Sequence, residues 1–93
     1  QELVASLAGQ NLAGRVSIVE LPSRGIKQGR APTRAVEVEG IAGRRLLCSL
    51  DRPGKAWMVE QRSDSLSGVP DMTLLAQSPD VVRVCEEMRG LVR

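Results

Sequence analysis

Histidine, tyrosine and phenylalanine are absent from this 93-residue chain, and Trp57 is its one aromatic residue. A chain without histidine lacks the commonest general base and the commonest zinc ligand. It also has neither a GxxxxGKS/T nor a GxGxxG motif, the glycine-rich loops that hold phosphates. The acid pairs Glu37/Glu39 and Glu86/Glu87 fit solvated surface charges better than catalytic dyads. We therefore predict a protein that is not an enzyme, with no catalytic residues, no metal ligands and no cofactor.

Long apolar runs and closely spaced cysteines are absent as well. No apolar stretch approaches the roughly 18 residues of a membrane span, so we predict no membrane association. Cys48 and Cys85 lie far apart in the sequence. We interpret them as reduced thiols in the core, which favours a cytoplasmic protein. The chain shows no signal peptide and begins with Gln1, so we expect a piece of a longer chain or a processed product.

The remaining composition is that of an ordinary globular protein. Hydrophobic residues make up 42% of the chain and charged residues 26%, with a formal net charge of +2. This length allows one modest core, so we predict a single small domain over residues 1–93. With one aromatic residue, that core must be built from aliphatic side chains.

The clearest pattern runs from Ala35 to Gln61. Three short apolar runs begin at residues 35, 45 and 56, with Gly40–Gly43 between the first two and Arg52-Pro53-Gly54 between the last two. Proline followed by glycine suits the central positions of a type II turn. The segment therefore predicts an antiparallel meander of three strands.

The flanking segments predict two helices and one or two further strands. We expect a short helix over Glu2–Ala8 and a strand over Arg15–Leu21, whose apolar residues on both faces predict cover on both sides. Residues 72–76 fit a fifth strand or one turn of helix equally well. Ser78-Pro79-Asp80 is a typical helix start, and the apolar residues after it fall on one helical face.

These elements predict an α+β fold. We expect a four- to five-stranded antiparallel sheet or half-open small barrel, with the C-terminal helix packed on it and the short N-terminal helix at an edge. A closed barrel of the SH3-like or OB-like kind is the alternative. The predicted core is Val16, Ile18, Val36, Val38, Leu46, Cys48, Leu50, Met58, Val81, Cys85 and Met88.

The segment Pro22–Arg34 contains four basic residues and no acid. If both turns lie at one end of the sheet, this arm and the turn at residues 52–55 would form one positive edge. Clustered arginine suits contact with phosphate. We predict a binding module that contacts nucleic acid or another polyanion through the loop at 24–34, with the contact residues Arg24, Lys27, Arg30, Arg34, Arg52 and Lys55.

Two other functions fit the same sequence. The first is a protein–protein interaction or self-association module that uses the sheet and the terminal helix, so a protein partner or a homo-oligomer is the alternative to nucleic acid. The second, with less support, is a sensor of a small molecule or anion. Trp57 stands alone, so the chain offers no aromatic row on which bases would stack.

Overall fold

The computed structural model describes residues 2–21, 33–52, 54–60 and 71–92, apart from the side chains of residues 21, 33 and 71. Within these residues it contains two α-helices, five strands and a 3-10 turn at Ile41–Gly43. In chain order the helices and strands are α1 (Glu2–Ala8), β1 (Val16–Leu21), β2 (Thr33–Glu39), β3 (Arg45–Ser49), β4 (Ala56–Glu60), β5 (Asp71–Leu74) and α2 (Pro79–Leu91).

The strands form one open antiparallel sheet in the order β1-β2-β3-β4-β5. Each strand pairs with its neighbour in the sequence, so the predicted meander extends to the whole sheet. The predicted α+β fold is confirmed. The segment at residues 72–76, which fitted a strand or a helical turn, overlaps strand β5, and the strand ends at Leu74. Strands β1 and β5 are the two edges, and within the described residues they do not pair to close a barrel.

Both helices pack on one face of the sheet, where strands β2 to β4 present alternate apolar residues. Val36 faces Cys48 and Val38 faces Leu46 across the β2–β3 pair. We call the buried cluster on this face the helix-side core. Its members are Leu3, Val4, Leu7, Leu12, Val36, Val38, Leu46, Cys48, Ala56, Val81, Val84, Cys85 and Met88.

Most of the predicted core residues on β2, β3 and α2 lie in this cluster. Val16, Leu50 and Met58 are only partly buried, although they pack against it. Most of the core residues that the sequence prediction missed lie near the N-terminus. Leu3, Val4, Leu7 and Leu12 are all buried. A seven-residue helix has little stability by itself, so this contact with the sheet is what holds α1 in place.

Gly40 explains how closely α1 approaches the sheet. A Cβ atom built on Gly40 would overlap Cδ1 of Leu3 and lie 3.5 Å from Cδ2 of Leu7. The residue follows β2 directly. The sequence indicated Gly40 only as part of a reversal, but in the structure any side chain at this position would force Leu3 to shift.

The prediction that β1 is covered on both sides is wrong. β1 is an edge strand, and Ile18, which was predicted to be in the core, is 44% exposed. Val16 and Val19 are only partly buried. An apolar residue on an edge strand has no neighbouring strand on one side, so that side stays open to solvent. The residues of β1 alone do not indicate whether the strand is central or at an edge, which is why the prediction failed.

The start of α2 is as predicted. The Ser78 hydroxyl accepts a hydrogen bond from the Val81 N–H at 3.3 Å, and Pro79 is the first helical residue. Val81, Val84, Cys85 and Met88 then form the buried face. Neither helix of the described ranges has the length and apolar character needed to cross a membrane.

The prediction of reduced thiols is wrong, although both cysteines are buried as expected. Cys48 of β3 and Cys85 of α2 form a disulfide across 37 residues of sequence, with their Cα atoms 5.6 Å apart. The Met88 sulfur lies 3.7 Å from Sγ of Cys48, so the bond is enclosed in the helix-side core. The disulfide ties the terminal helix to the centre of the sheet.

Replacing Leu46 with alanine tests the helix-side core. Leu46 is fully buried. We expect Leu46→Ala to lower the free energy of unfolding by about 2–5 kcal/mol, because it removes buried methyl groups and leaves a cavity. Leu74→Ala on exposed β5 is the matched control and should change it by less than about 0.5 kcal/mol. Urea denaturation measures both values, and an equal effect of the two substitutions would contradict the assignment of the core.

Thiol labelling tests the disulfide. The unreduced chain, unfolded in denaturant, should take up no alkylating reagent, and the reduced chain should take up two equivalents. Reduction should lower the free energy of unfolding by about 4 kcal/mol, the chain-entropy value for a loop of 37 residues. Two labelled cysteines without reductant would show that the bond does not form.

Candidate anion-binding end of the sheet

Two connections of the sheet leave from the same end. β1 ends at Leu21 and β2 begins at Thr33, while β3 ends at Ser49 and β4 begins at Ala56. Because neighbouring strands are antiparallel, the last residue of β1, the first residue of β2 and the turn between β3 and β4 lie at one end of the sheet. The structure therefore satisfies the condition under which the sequence predicted a positive edge.

Three of the predicted contact residues lie at this end with exposed side chains. We call Arg34, Arg52 and Lys55 the basic end. The other three predicted contacts, Arg24, Lys27 and Arg30, lie outside the described residues, as does most of the predicted arm.

Arg34 was predicted to lie in the loop, but it belongs to strand β2, where its Cα is paired with that of Glu20. Its backbone N–H donates to the Asp51 carboxylate at 3.0 Å, and its carbonyl oxygen accepts from the Leu50 N–H at 2.8 Å. Both bonds join the start of β2 to the segment that follows β3. The backbone of Arg34 is therefore fixed while its guanidinium faces solvent.

The turn that carries Arg52 and Lys55 is closed by three hydrogen bonds. The Lys55 N–H donates to the Arg52 carbonyl at 3.2 Å, and the Ser49 N–H donates to the Lys55 carbonyl at 2.9 Å. The Arg52 N–H donates to the Ser49 hydroxyl at 2.9 Å. Gly54 has a φ of 95°, a conformation that glycine adopts without strain. The predicted glycine turn is therefore present, and it fixes the backbone positions of both cations.

A further guanidinium, carried by helix α2, contacts this end. Arg89 is half-buried, and its Nε donates to the Ser49 carbonyl at 3.1 Å. Arg89 is four residues after Cys85, so it flanks the buried face of the helix. From the sequence, this spacing could have placed Arg89 next to the buried face of α2. Its contact with Ser49 could not be predicted, because it depends on how α2 crosses the sheet.

The two ends of the sheet differ in how their cations are compensated. At the opposite end, Arg44 Nε lies 2.6 Å from Glu60 Oε2, and Arg45 lies 3.5 Å from the Glu37 carboxylate. Arg15 there donates to the Glu39 carbonyl at 3.0 Å. In contrast, none of the three basic-end side chains forms an ion pair with another described residue.

Two acidic residues lie near the basic end, but neither forms an ion pair with its side-chain cations among the described residues. Asp51 is exposed and lies between β3 and Arg52, and Glu20 is opposite Arg34 in the strand pairing. The Asp51 carboxylate accepts from a backbone N–H rather than from a side-chain cation. The described part of the chain holds no group of three or more potential metal ligands.

A second surface feature lies on the face of the sheet opposite the helices. Ala35, Leu47 and Val59 form a small buried cluster there, against which Val19 and the half-buried Trp57 pack. On the adjoining edge strand β5, two apolar residues are open to solvent: Met72 is 41% and Leu74 is 56% exposed.

Comparisons with known proteins add no functional information. The chain matches no protein-family model, and no curated protein or solved structure was found to match it. Any functional assignment therefore depends on the geometry described above.

The hydrogen bond from Arg34 to Asp51 can be tested with two substitutions at one position. Asp51→Ala removes the acceptor and should lower the free energy of unfolding by about 0.5–1.5 kcal/mol. Asp51→Asn retains a side-chain oxygen that can accept the same bond, and most of the stability should return. Thermal or urea unfolding of the three proteins gives the comparison. If both variants unfold like the wild type, the carboxylate does not hold the start of β2.

Proposed function

We propose that this protein binds a polyanion, with nucleic acid as the ligand class, through the basic end of its sheet. The observation that carries the proposal is the contrast between the two ends: Arg44 and Arg45 are paired with carboxylates, whereas Arg34, Arg52 and Lys55 have no such partner among the described residues. Cations without carboxylate partners are available to phosphates.

The sequence between these two strands is also basic. Residues 22–32 follow β1 and precede β2 in the chain, and they include Arg24, Lys27 and Arg30 and no acid. The six cations together supply enough charge for phosphate contacts without base-specific recognition. Contacts of this kind position a protein on a nucleic acid but do not read its sequence. We therefore propose binding with little sequence preference.

The alternative proposal is a protein–protein interaction module. Its support is the exposure of Met72 and Leu74 on β5, beside the apolar cluster around Trp57. Exposed apolar residues on an edge strand are more typical of a protein partner than of a polyanion. The predicted cytoplasmic location remains a prediction, and it has lost its support because it depended on reduced cysteines.

The salt dependence of binding tests the polyanion proposal. If four of the six cations contact phosphates, a plot of log K against log salt concentration for duplex DNA should have a slope of roughly −3 to −4. The basic-end variant carries Arg34→Gln, Arg52→Gln and Lys55→Gln. It removes one to three of four such contacts, so its slope should be shallower by roughly 1 to 3. Fluorescence titrations with duplex DNA and single-stranded RNA at several salt concentrations give the slopes.

A charge-matched control separates local contact from net charge. The opposite-end variant carries Arg15→Gln, Arg44→Gln and Arg45→Gln. It loses the same number of charges at the end where Arg44 and Arg45 are paired with carboxylates and Arg15 is hydrogen-bonded to neutral oxygens. It should keep a slope close to that of the wild type, and circular dichroism should confirm that both variants fold. Absence of binding at low salt, or equal losses in the two variants, would reject the proposal in favour of a protein partner.

A further inference from the structure

Among the described residues, strand β1 is an edge that lacks several of the features that usually protect edges. Within the described residues it pairs with β2 alone, so its outer backbone N–H and C=O groups have no strand partner. Proteins commonly protect such edges with lysine, proline, a bulge or a very short strand. β1 has six residues, VSIVEL, which include no lysine or proline, and its one-to-one register with β2 contains no bulge. The other edge, β5, has only four residues.

The side chains of β1 also leave apolar surface unburied. Ile18 is 44% exposed on the face that carries the helices, beside the partly buried Val16. Val19 is only partly buried on the other face. A neighbouring strand would cover both the backbone edge and these side chains.

We propose that β1 pairs antiparallel with β1 of a second copy, about a two-fold axis at Ser17, to give a continuous ten-stranded sheet. In this register Ser17 faces its own copy, and Val16 faces Ile18 of the second copy on the helix-bearing face. The symmetry repeats the pair, so two contacts between β-branched residues form at once. The proposal is independent of polyanion binding.

The order of residues in β1 favours this register over the adjacent registers. A one-residue shift would set side chains of opposite faces against each other, so only even shifts are allowed. An axis at Ile18 would place Val16 opposite Glu20, and an axis at Val19 would place Ile18 opposite Glu20. The axis at Ser17 places Glu20 opposite Gly14, which leaves its carboxylate in solvent.

Charge favours the antiparallel arrangement with a second copy. β1 is preceded by Arg15 and has Glu20 near its end. In the antiparallel register Arg15 faces Val19 and Glu20 faces Gly14 of the second copy, so no like charges are opposed. In-register parallel pairing would set Arg15 beside Arg15 and Glu20 beside Glu20. One pair of six-residue strands buries less area than a standard interface, so the dimer should be weak, with a dissociation constant in the micromolar range or above.

Sedimentation equilibrium from about 1 µM to about 1 mM tests the dimer. The wild type should move from monomer to dimer across this range. Ile18→Lys should raise the dissociation constant by about tenfold or more, because the two introduced charges become diagonal neighbours across the axis. Leu74→Lys places the same charge on the other edge strand and should leave the constant unchanged.

Amide hydrogen exchange gives a second readout at the strand itself. Alternate β1 amides should become protected as the wild-type concentration rises, and this increase should be lost in Ile18→Lys. The melting temperature of that variant shows whether its monomer is folded. A wild type that stays monomeric at the highest concentration, or a dimer that persists in folded Ile18→Lys, would overturn the proposal.

Discussion

The contact of two helices with one face of a five-stranded sheet is what the rest of this structure depends on. The helix-side core contains no aromatic residue, so its stability comes from many leucine and valine contacts of modest size. Each helix needs the sheet: α1 has seven residues and would not persist alone, and α2 is joined to β3 by the Cys48–Cys85 disulfide. The buried residues of this core come from the two helices, Leu12 and strands β2 to β4. The ends of the sheet and the edge strand β1 contribute little to it.

The two ends of the sheet differ in whether their cations are paired with carboxylates. At one end, Arg44 and Arg45 at the start of β3 form ion pairs with Glu60 and Glu37, and these pairs join neighbouring strands. At the other end, hydrogen bonds fix the backbone of Arg34, Arg52 and Lys55 while their side chains stay exposed. A fixed backbone under exposed cations reduces the ordering that binding requires. The proposed function rests on this separation between a core that stabilises the fold and an end whose cations are exposed.

Local signals in the sequence predicted the local structure well. The meander, the glycine turn and the start of α2 each follow from residues a few positions apart, and all three are present. The errors concern relations between distant segments. The Cys48–Cys85 bond requires β3 and α2 to approach within 5.6 Å, and no spacing in the chain indicates that. Ile18 was placed in the core because its pattern resembles that of a central strand, whereas edge position depends on the whole topology. For the candidate site, the charge pattern selected Arg52 and Lys55, which the structure shows to be exposed at the same end as Arg34. The contact of Arg89 with Ser49 could not be predicted, because it depends on the path of the helix.

The claim that one end of the sheet is for binding and the other for stability is tested most directly by NMR. Backbone amide shifts would be followed while a short duplex DNA is added to the protein at low salt. The account predicts shift changes concentrated at residues 33–34 and 49–55, with little change at residues 39–45. Changes centred on residues 39–45, or spread evenly over the sheet, would contradict it.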